Sequence, residues 1–226
     1  MPFVIARICV SQEANEVPSA SSLNIKEFFE SDSLLTLEQL QQLEYAAGTS
    51  QLTEIRQAVD DLARRVESGE KRESVVARAG VGSYVLSRQS QADRLLSAVS
   101  GDGVALFAHG QCLTALGRPD EAAGRFEAAA RLGVDPVGCA LRRAGAIRAA
   151  GRVDEAEKLL RSVAASAASR AEYSFQMGCI WADRGDSLTA VEYFERAVDM
   201  DPHHSRALFW LAAENALRGN DEEAIR

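Results

Sequence analysis

Small and apolar positions return along this chain at a fixed stride. From Gly103 onward, apolar residues at helical three- and four-residue steps are interrupted by short polar turns. These read GRPDEA from Gly117, GRVDEA from Gly151, GDSLTA from Gly185 and GNDEEA from Gly219, each 34 residues after the last. The closing alanines, Ala122, Ala156, Ala190 and Ala224, keep the step, and twelve residues before each stands Gly110, Ala144, Gly178 or Ala212. Four residues after the first three comes a large apolar side chain, Phe126, Leu160 or Phe194. A period of this length marks a solenoid of stacked supersecondary units.

The spacing has a physical reading. Two helices of about 14 residues, each roughly 20 Å long, need a tight reversal between them. Gly117, Gly151, Gly185 and Gly219 are placed to end the first helix in a left-handed conformation. Asp120, Asp154 and Asp221 then put negative charge in the opening turn of the second helix. The small residue of the first helix and the alanine of the second allow close approach, and the large residue four positions on fills the gap on the same face. Asp201-Pro202 ends the second helix of the third pair, because proline restricts the residue before it and cannot continue the helix.

On these residues the chain resembles the tetratricopeptide repeat family, whose units carry small residues at positions 8 and 20 and apolar or aromatic ones at 11 and 24. The unit 171–204 carries the pattern best, with Met177, Gly178, Trp181, Ala190, Phe194, Ala197 and Pro202 in place. The unit 103–136 has a longer exit, RLGVDP, and the unit 137–170 is looser, with Ala144 and Leu160 and no exit proline. The resemblance implies an all-α fold, an alpha-alpha superhelix with an N-terminal capping helical pair.

Upstream, VVARAGVGSYVLSRQSQADRLLSAVS places Gly80 and Ala92 twelve apart, with Leu96 four later and Ser87 where the glycine of the turn stands elsewhere. Residues 73–102 read as a degenerate repeat, with an unrelated helical pair as the alternative. LLTLEQLQQLEYAAG and QLTEIRQAVDDLARRVESG show helical periodicity broken near Gly48-Thr49-Ser50, two amphipathic helices in a cap over 23–72. Residues 1–22 lack periodicity and are expected to be disordered or loosely attached. Residues 205–226 hold a first helix and only the start of a second, as in a truncated repeat whose natural chain continues.

Composition narrows the function classes. At 46% hydrophobic and 26% charged the chain is that of a globular protein, while only 6% is aromatic. The net charge of −8, with no clustered Lys and Arg, argues against nucleic-acid binding by this segment. FVIARICV at the N-terminus is too short and too interrupted for a membrane span. Cys9, Cys112, Cys139 and Cys179 lie far apart without zinc spacing, which favours buried thiols in a reducing cytoplasm. His109 reads as a packed helix residue and His203-His204 as polar residues of an inter-repeat turn. No P-loop, nucleophile elbow or zinc-protease motif occurs, GVGSY at Gly80 falls within helical periodicity, and neither a catalytic group, a cofactor nor a metal is expected.

What the resemblance implies is a concave face lined by first helices. Carried over position by position, it selects Phe107 and Gln111, Leu141 and Arg148, Glu172, Phe175, Cys179 and Asp183, then Arg206 and Phe209, with Arg142 and Gln176 at the rim. Phe107, Phe175 and Phe209 form an aromatic track for a partner peptide or helix, or else fill the interior of the superhelix. The lysine and asparagine with which chaperone-tail receptors clamp a carboxylate are replaced by Phe107 and Gln111, then Leu141 and Gly145. The expected function is a non-catalytic protein-interaction scaffold. The alternative is the recruiting arm of a larger enzyme or transcription-associated protein. The order of features is also similar to bacterial repeat proteins that carry a segment like the C-terminal domain of the RNA polymerase alpha subunit, which implies a link to that machinery.

Overall fold

One residue in the left-handed region sets each turn between paired helices. Gly117, Gly151 and Gly185 have φ of 70°, 80° and 79°. The next residue then donates its N–H to the carbonyl five positions back, Arg118 to Leu113 (2.9 Å), Arg152 to Ile147 (3.2 Å) and Asp186 to Trp181 (3.0 Å). This closure satisfies carbonyls that the helix end leaves open. Ser87, at the corresponding place of the degenerate unit, takes the same conformation with φ 59°, and Arg88 donates to Ser83 at 2.9 Å.

The computed structural model describes residues 23–217, which form helices and no strand. In chain order these are α1 (Ile25–Glu30), α2 (Leu37–Ala46), α3 (Leu52–Glu67), α4 (Glu73–Val85), α5 (Gln89–Leu96), α6 (Gly103–Ala115), α7 (Pro119–Arg131), α8 (Pro136–Ala149), α9 (Val153–Ala167), α10 (Ala171–Asp183), α11 (Ser187–Met200) and α12 (Ser205–Leu217). The expected N-terminal tail, and the helix start with Asp221 and Ala224, lie outside the described residues. Helix starts follow local chemistry. Asp102, Asp135 and Asp186 accept backbone N–H groups at the heads of α6, α8 and α11, and Pro119 and Pro136 open α7 and α8.

The described residues up to Ala156 make one compact unit and those from Glu157 a second. In the first, α4 packs on α5 and α6 on α7 through the smallest side chains. A Cβ on Gly80 would lie 2.6 Å from Cδ2 of Leu96, and one on Gly110 would lie 2.7 Å from Cε1 of Phe126. Ala92 and Ala122, opposite them, are fully buried. The same closeness joins α3 to α4, where a Cβ on Gly82 would come within 2.3 Å of Val59 Cγ2.

The cap holds one helix more than the pair read from the sequence. Helix α1 buries Ile25, Phe28 and Phe29, with the two phenylalanine rings edge to face at 4.8 Å. The buried Arg78 of α4 holds it in place, donating from Nε to the Phe28 carbonyl at 2.6 Å and from Nη2 to Ser33 Oγ at 3.3 Å.

In the second unit α10 packs on α11 by the same rule. A Cβ on Gly178 would meet Phe194 Cε1 at 2.6 Å, and Ala190 is fully buried. Phe175, Cys179, Ala190, Phe194, Ala197 and Ala207 form the core, with Trp181, Trp210 and Leu211 half-buried against it. Burying a ring such as Phe194 contributes about 1.5–3 kcal/mol.

Candidate functional site

Four of the positions selected from the sequence, Glu172, Phe175, Gln176 and Arg206, meet in the second unit. Glu172 of α10 accepts from Gln176 Nε2 at 2.8 Å, one turn further along the same helix. Its Oε2 takes the Arg206 guanidinium of α12 and lies 3.3 Å from His204 Nε2. His204 in turn accepts the Ala207 N–H on Nδ1 at 3.1 Å, which leaves Nε2 as the protonated nitrogen that donates to Glu172. The Arg206 guanidinium lies 4.6 Å from the centre of the Phe175 ring, and the His204 ring packs on the same phenylalanine at 5.0 Å. Arg206 is thereby held by a carboxylate on one side and an aromatic face on the other. Phe209, three residues later on the same helical face, is 68% exposed.

The aromatic track is not a uniform surface. Phe175 is 3% exposed, and Phe107 is 7% exposed with its ring 5.5 Å from that of Phe126. Leu141 and Cys179 are buried as well. These four belong to the packing between helices, for a physical reason. The glycines at Gly110 and Gly178 draw the paired helices so close that the aromatic three positions earlier is absorbed into the seam. Of the aromatics at this position, Phe209 alone is open. Asp183 is exposed, while Arg142, Arg148 and Arg206 are half-buried.

In the first unit Gln111 is 6% exposed and its Oε1 accepts the Tyr84 hydroxyl of α4. The half-buried Glu44 of α2 stands within the field of Arg142. Burial pushes its carboxyl up to about 7, against the pull of that guanidinium. Burial likewise raises the Tyr84 phenol, and Glu44 adds to the rise.

Tyr84, Glu44 and His204 were not among the positions selected from the sequence. His204 sits next to the exposed His203 and reads like it, yet it is 3% exposed and heads α12. A histidine just before a helix and three residues from an alanine was the available signal for a cap. Glu44 and Tyr84 carry no sequence signal, because they come together only through the packing of α2 against α4.

Groups with catalytic potential are occupied structurally. His109 is buried, which lowers its pKa, and its Nε2 lies 2.9 Å from Asp93 Oδ1, whose hydrogen bond acts the other way. Asp93 also takes Arg118 Nη1 at 2.5 Å, so it ties α5 to both α6 and the turn after it. Related pairs join Arg152 to Asp120 (2.9 Å) and Arg184 to Glu157 (2.7 Å). Cys112, Cys139 and Cys179 are buried, and burial pushes the thiols of the first two up to about 11 and about 12. No helix among the described residues is long and apolar enough to cross a membrane.

Paired helices closed by left-handed turns and sealed by a small residue against a large one define a repeat protein of the helix–turn–helix solenoid class. The tetratricopeptide repeat family model matches residues 103–171 and 175–226, and the chain belongs to that family. Comparison with curated proteins gives no match. Among solved structures, the chain is similar to a chain of the APC/C hetero-tetramer Cut9-Hcn1, at 17% identity and a TM-score of 0.65. That alignment covers 83% of this chain and 37% of the other, so this chain spans little more than a third of that relative. It is also similar to YrrB, a TPR protein with an unusual peptide-binding site, at 17% identity and a TM-score of 0.57, covering 83% of this chain and 97% of the other. A third likeness is to MamA from Desulfovibrio magneticus RS-1, at 18% identity and a TM-score of 0.52, over 69% of this chain and 90% of the other. At these identities the likenesses show the fold alone.

Proposed function

We propose that this chain is a non-catalytic scaffold that takes a peptide or helix of a partner protein on the faces of its first helices. The observation that carries the reading is the Arg206–Phe209 pair. Phe209 is a large apolar side chain left 68% exposed, and on the same face Arg206 is fixed by Glu172 and the Phe175 ring. An oriented guanidinium beside an open aromatic ring is the composition of an interaction hot spot, because both groups give much contact for little loss of side-chain freedom. Membership of a repeat family whose members serve as interaction scaffolds supports the same reading.

The test places a photo-crosslinking phenylalanine analogue at Phe209, at Arg142 or at the exposed Glu195, in the full chain inside the cell of origin. The expected result is a discrete adduct from the first two positions and none from Glu195. Adducts of equal yield from all three positions, or none from Phe209 and Arg142, would overturn the proposal.

A further inference from the structure

The seams inside the helix pairs of the first unit and the seam between two of those pairs are built from different chemistry. Within pairs, Gly80 closes on Leu96 and Gly110 on Phe126, contacts with nothing to titrate. Between α5 and α6 polar groups face one another. The His109 ring of α6 meets Asp93 of α5 at 2.9 Å, and one turn further from the connecting residues 97–102 Cys112 Sγ donates to the Gln89 carbonyl at 3.3 Å. At the near end, Glu73 of α4 accepts the Gly101 N–H at 2.6 Å and Asp102 accepts that of Leu35 at 2.8 Å. The seam is thus tied at both ends, and the far end rests on an imidazole, the side chain whose ordinary titration falls between pH 5 and 8.

His109 is 2% exposed, and its Nε2 donates to Asp93 Oδ1. Its Nδ1 is buried with no hydrogen-bond partner among the described residues. On the neutral ring that nitrogen is a bare lone pair. A second proton would turn it into a buried donor with nothing to accept it, next to two guanidinium groups. Arg118, which donates to Asp93 Oδ2 at 2.5 Å, and Arg125 of α7 both oppose a charge on the ring, while Asp93 favours one. Glu121 of α7 is taken up by Arg118 at 2.6 Å. On α4, the other helix packed on α6, Glu73 is engaged with Gly101, Arg78 with the Phe28 carbonyl and Tyr84 with Gln111. Burial is the largest of these influences and holds the His109 pKa below 6.5.

We infer that the α5–α6 seam is an acid-operated joint: a proton on His109 releases its far end, while the helix pairs on either side stay closed and the near end stays tied. Once the seam parts, the ring meets water and takes its proton at the ordinary 6.5. The closed state is therefore at full strength above that pH. Below it, the parted state gains by up to about tenfold per pH unit, until the lower pKa of the closed state is reached. The joint concerns how the pairs hold to each other and does not depend on what the chain binds.

The experiment treats the full chain with 4,4′-dithiodipyridine, a thiol reagent that works on both sides of neutrality, at pH 7.5 and pH 5.0, and maps the labelled cysteines by mass. Cys112 lines the far end of the seam, whereas Cys139 lies on α8. Both thiols stay protonated at either pH, so the ratio of their labelling rates reports the seam. The Cys112-to-Cys139 ratio should rise at least fivefold at pH 5.0. In His109→Gln, which keeps a donor for Asp93 but takes up no proton, it should change less than twofold. Glu44 titrates in both chains, so the difference between them isolates the ring. In the parent chain, which needs no variant to fold, the His109 ring protons should titrate below 6.5 in NMR spectra. A smaller rise in the parent, a rise retained by folded His109→Gln, or a His109 ring that titrates at or above 6.5 would overturn the joint.

Discussion

A Cβ added to Gly178 would sit 2.6 Å from Cε1 of Phe194, a distance that real Cβ atoms essentially never show. The same substitution at Gly124, an exposed helical position with nothing within 4 Å, meets open space. The two glycines therefore answer oppositely to alanine. Gly178→Ala gains about 1 kcal/mol of helix propensity and loses more through overpacking, for a net loss on the order of 1–2 kcal/mol. Gly124→Ala should stabilise by about 0.5–1 kcal/mol. Thermal melts of the two variants check this. Equal melting temperatures would mean that the α10–α11 seam is not the tight contact described. Gly178→Leu should cost more still, with Glu195→Gln, on the exposed side of α11, as the neutral control.

Ser87 is the non-glycine residue in the left-handed region among those described, at φ 59°. A side chain there costs about 1–2 kcal/mol relative to glycine. Ser87→Gly, which restores the residue found at the other turns, should raise stability by about 1 kcal/mol in denaturant unfolding. An unchanged or lower midpoint would mean that the serine is held there by a compensating interaction.

Glu44 links stability to pH. Its carboxyl is raised from 4.5 to about 7 by burial, so the folded state holds this proton more tightly than the unfolded chain does. The stabilisation it contributes is complete below about pH 4.5, fades as pH rises towards 7 and is gone above that. Glu44→Gln should be close to neutral at pH 4.5 and stabilising at pH 8 by on the order of 1 kcal/mol, with Arg142 limiting the gain. Chemical denaturation at the two pH values measures it, and a variant equally stable relative to the parent at both would contradict the assignment.

The thiols of Cys112 and Cys139 are pushed to about 11 and about 12, and both side chains are buried. Little thiolate exists at pH 8, and no reagent can reach it without local opening. In mass-mapped alkylation at pH 8 these two cysteines should react only at the rate of unfolding and become fast in denaturant. Rapid labelling of either in the native chain would show that its helix pair opens readily.

The helix pairs were legible because their determinants are local and repeated. A glycine five residues before each helix-B alanine, a small residue twelve before it and a large one four after it recur together, and Gly110–Phe126 and Gly178–Phe194 realise the close contact they encode. Helix α1 was missed although Ile25, Phe28 and Phe29 stand at helical spacing behind Asn24, whose side chain caps the helix. Six residues are too few for periodicity to stand out, and the buried Arg78 that fixes the helix lies 50 positions away from Phe28. Family register assigned Phe107, Phe175 and Phe209 to first helices of their pairs, and α6, α10 and α12 carry them. It did not separate Phe209, which is open, from Phe107 and Phe175, which are buried, because that difference depends on how closely the neighbouring helix approaches. Nor does any register contain Glu44, which the cap brings within the field of Tyr84 and Arg142 from outside the repeats.

Asp102 divides one carboxylate between two distant parts of the chain. Oδ1 receives the Ala105 N–H at the head of α6, at 2.9 Å, and Oδ2 receives the Leu35 N–H, 67 positions upstream, at 2.8 Å. Releasing the segment before α2 leaves half of that anion unsatisfied in a buried place, so the cap and the first complete repeat are fastened to open together. In amide exchange Leu35 and Ala105 should fall into a single protection class, and Asp102→Asn should split it.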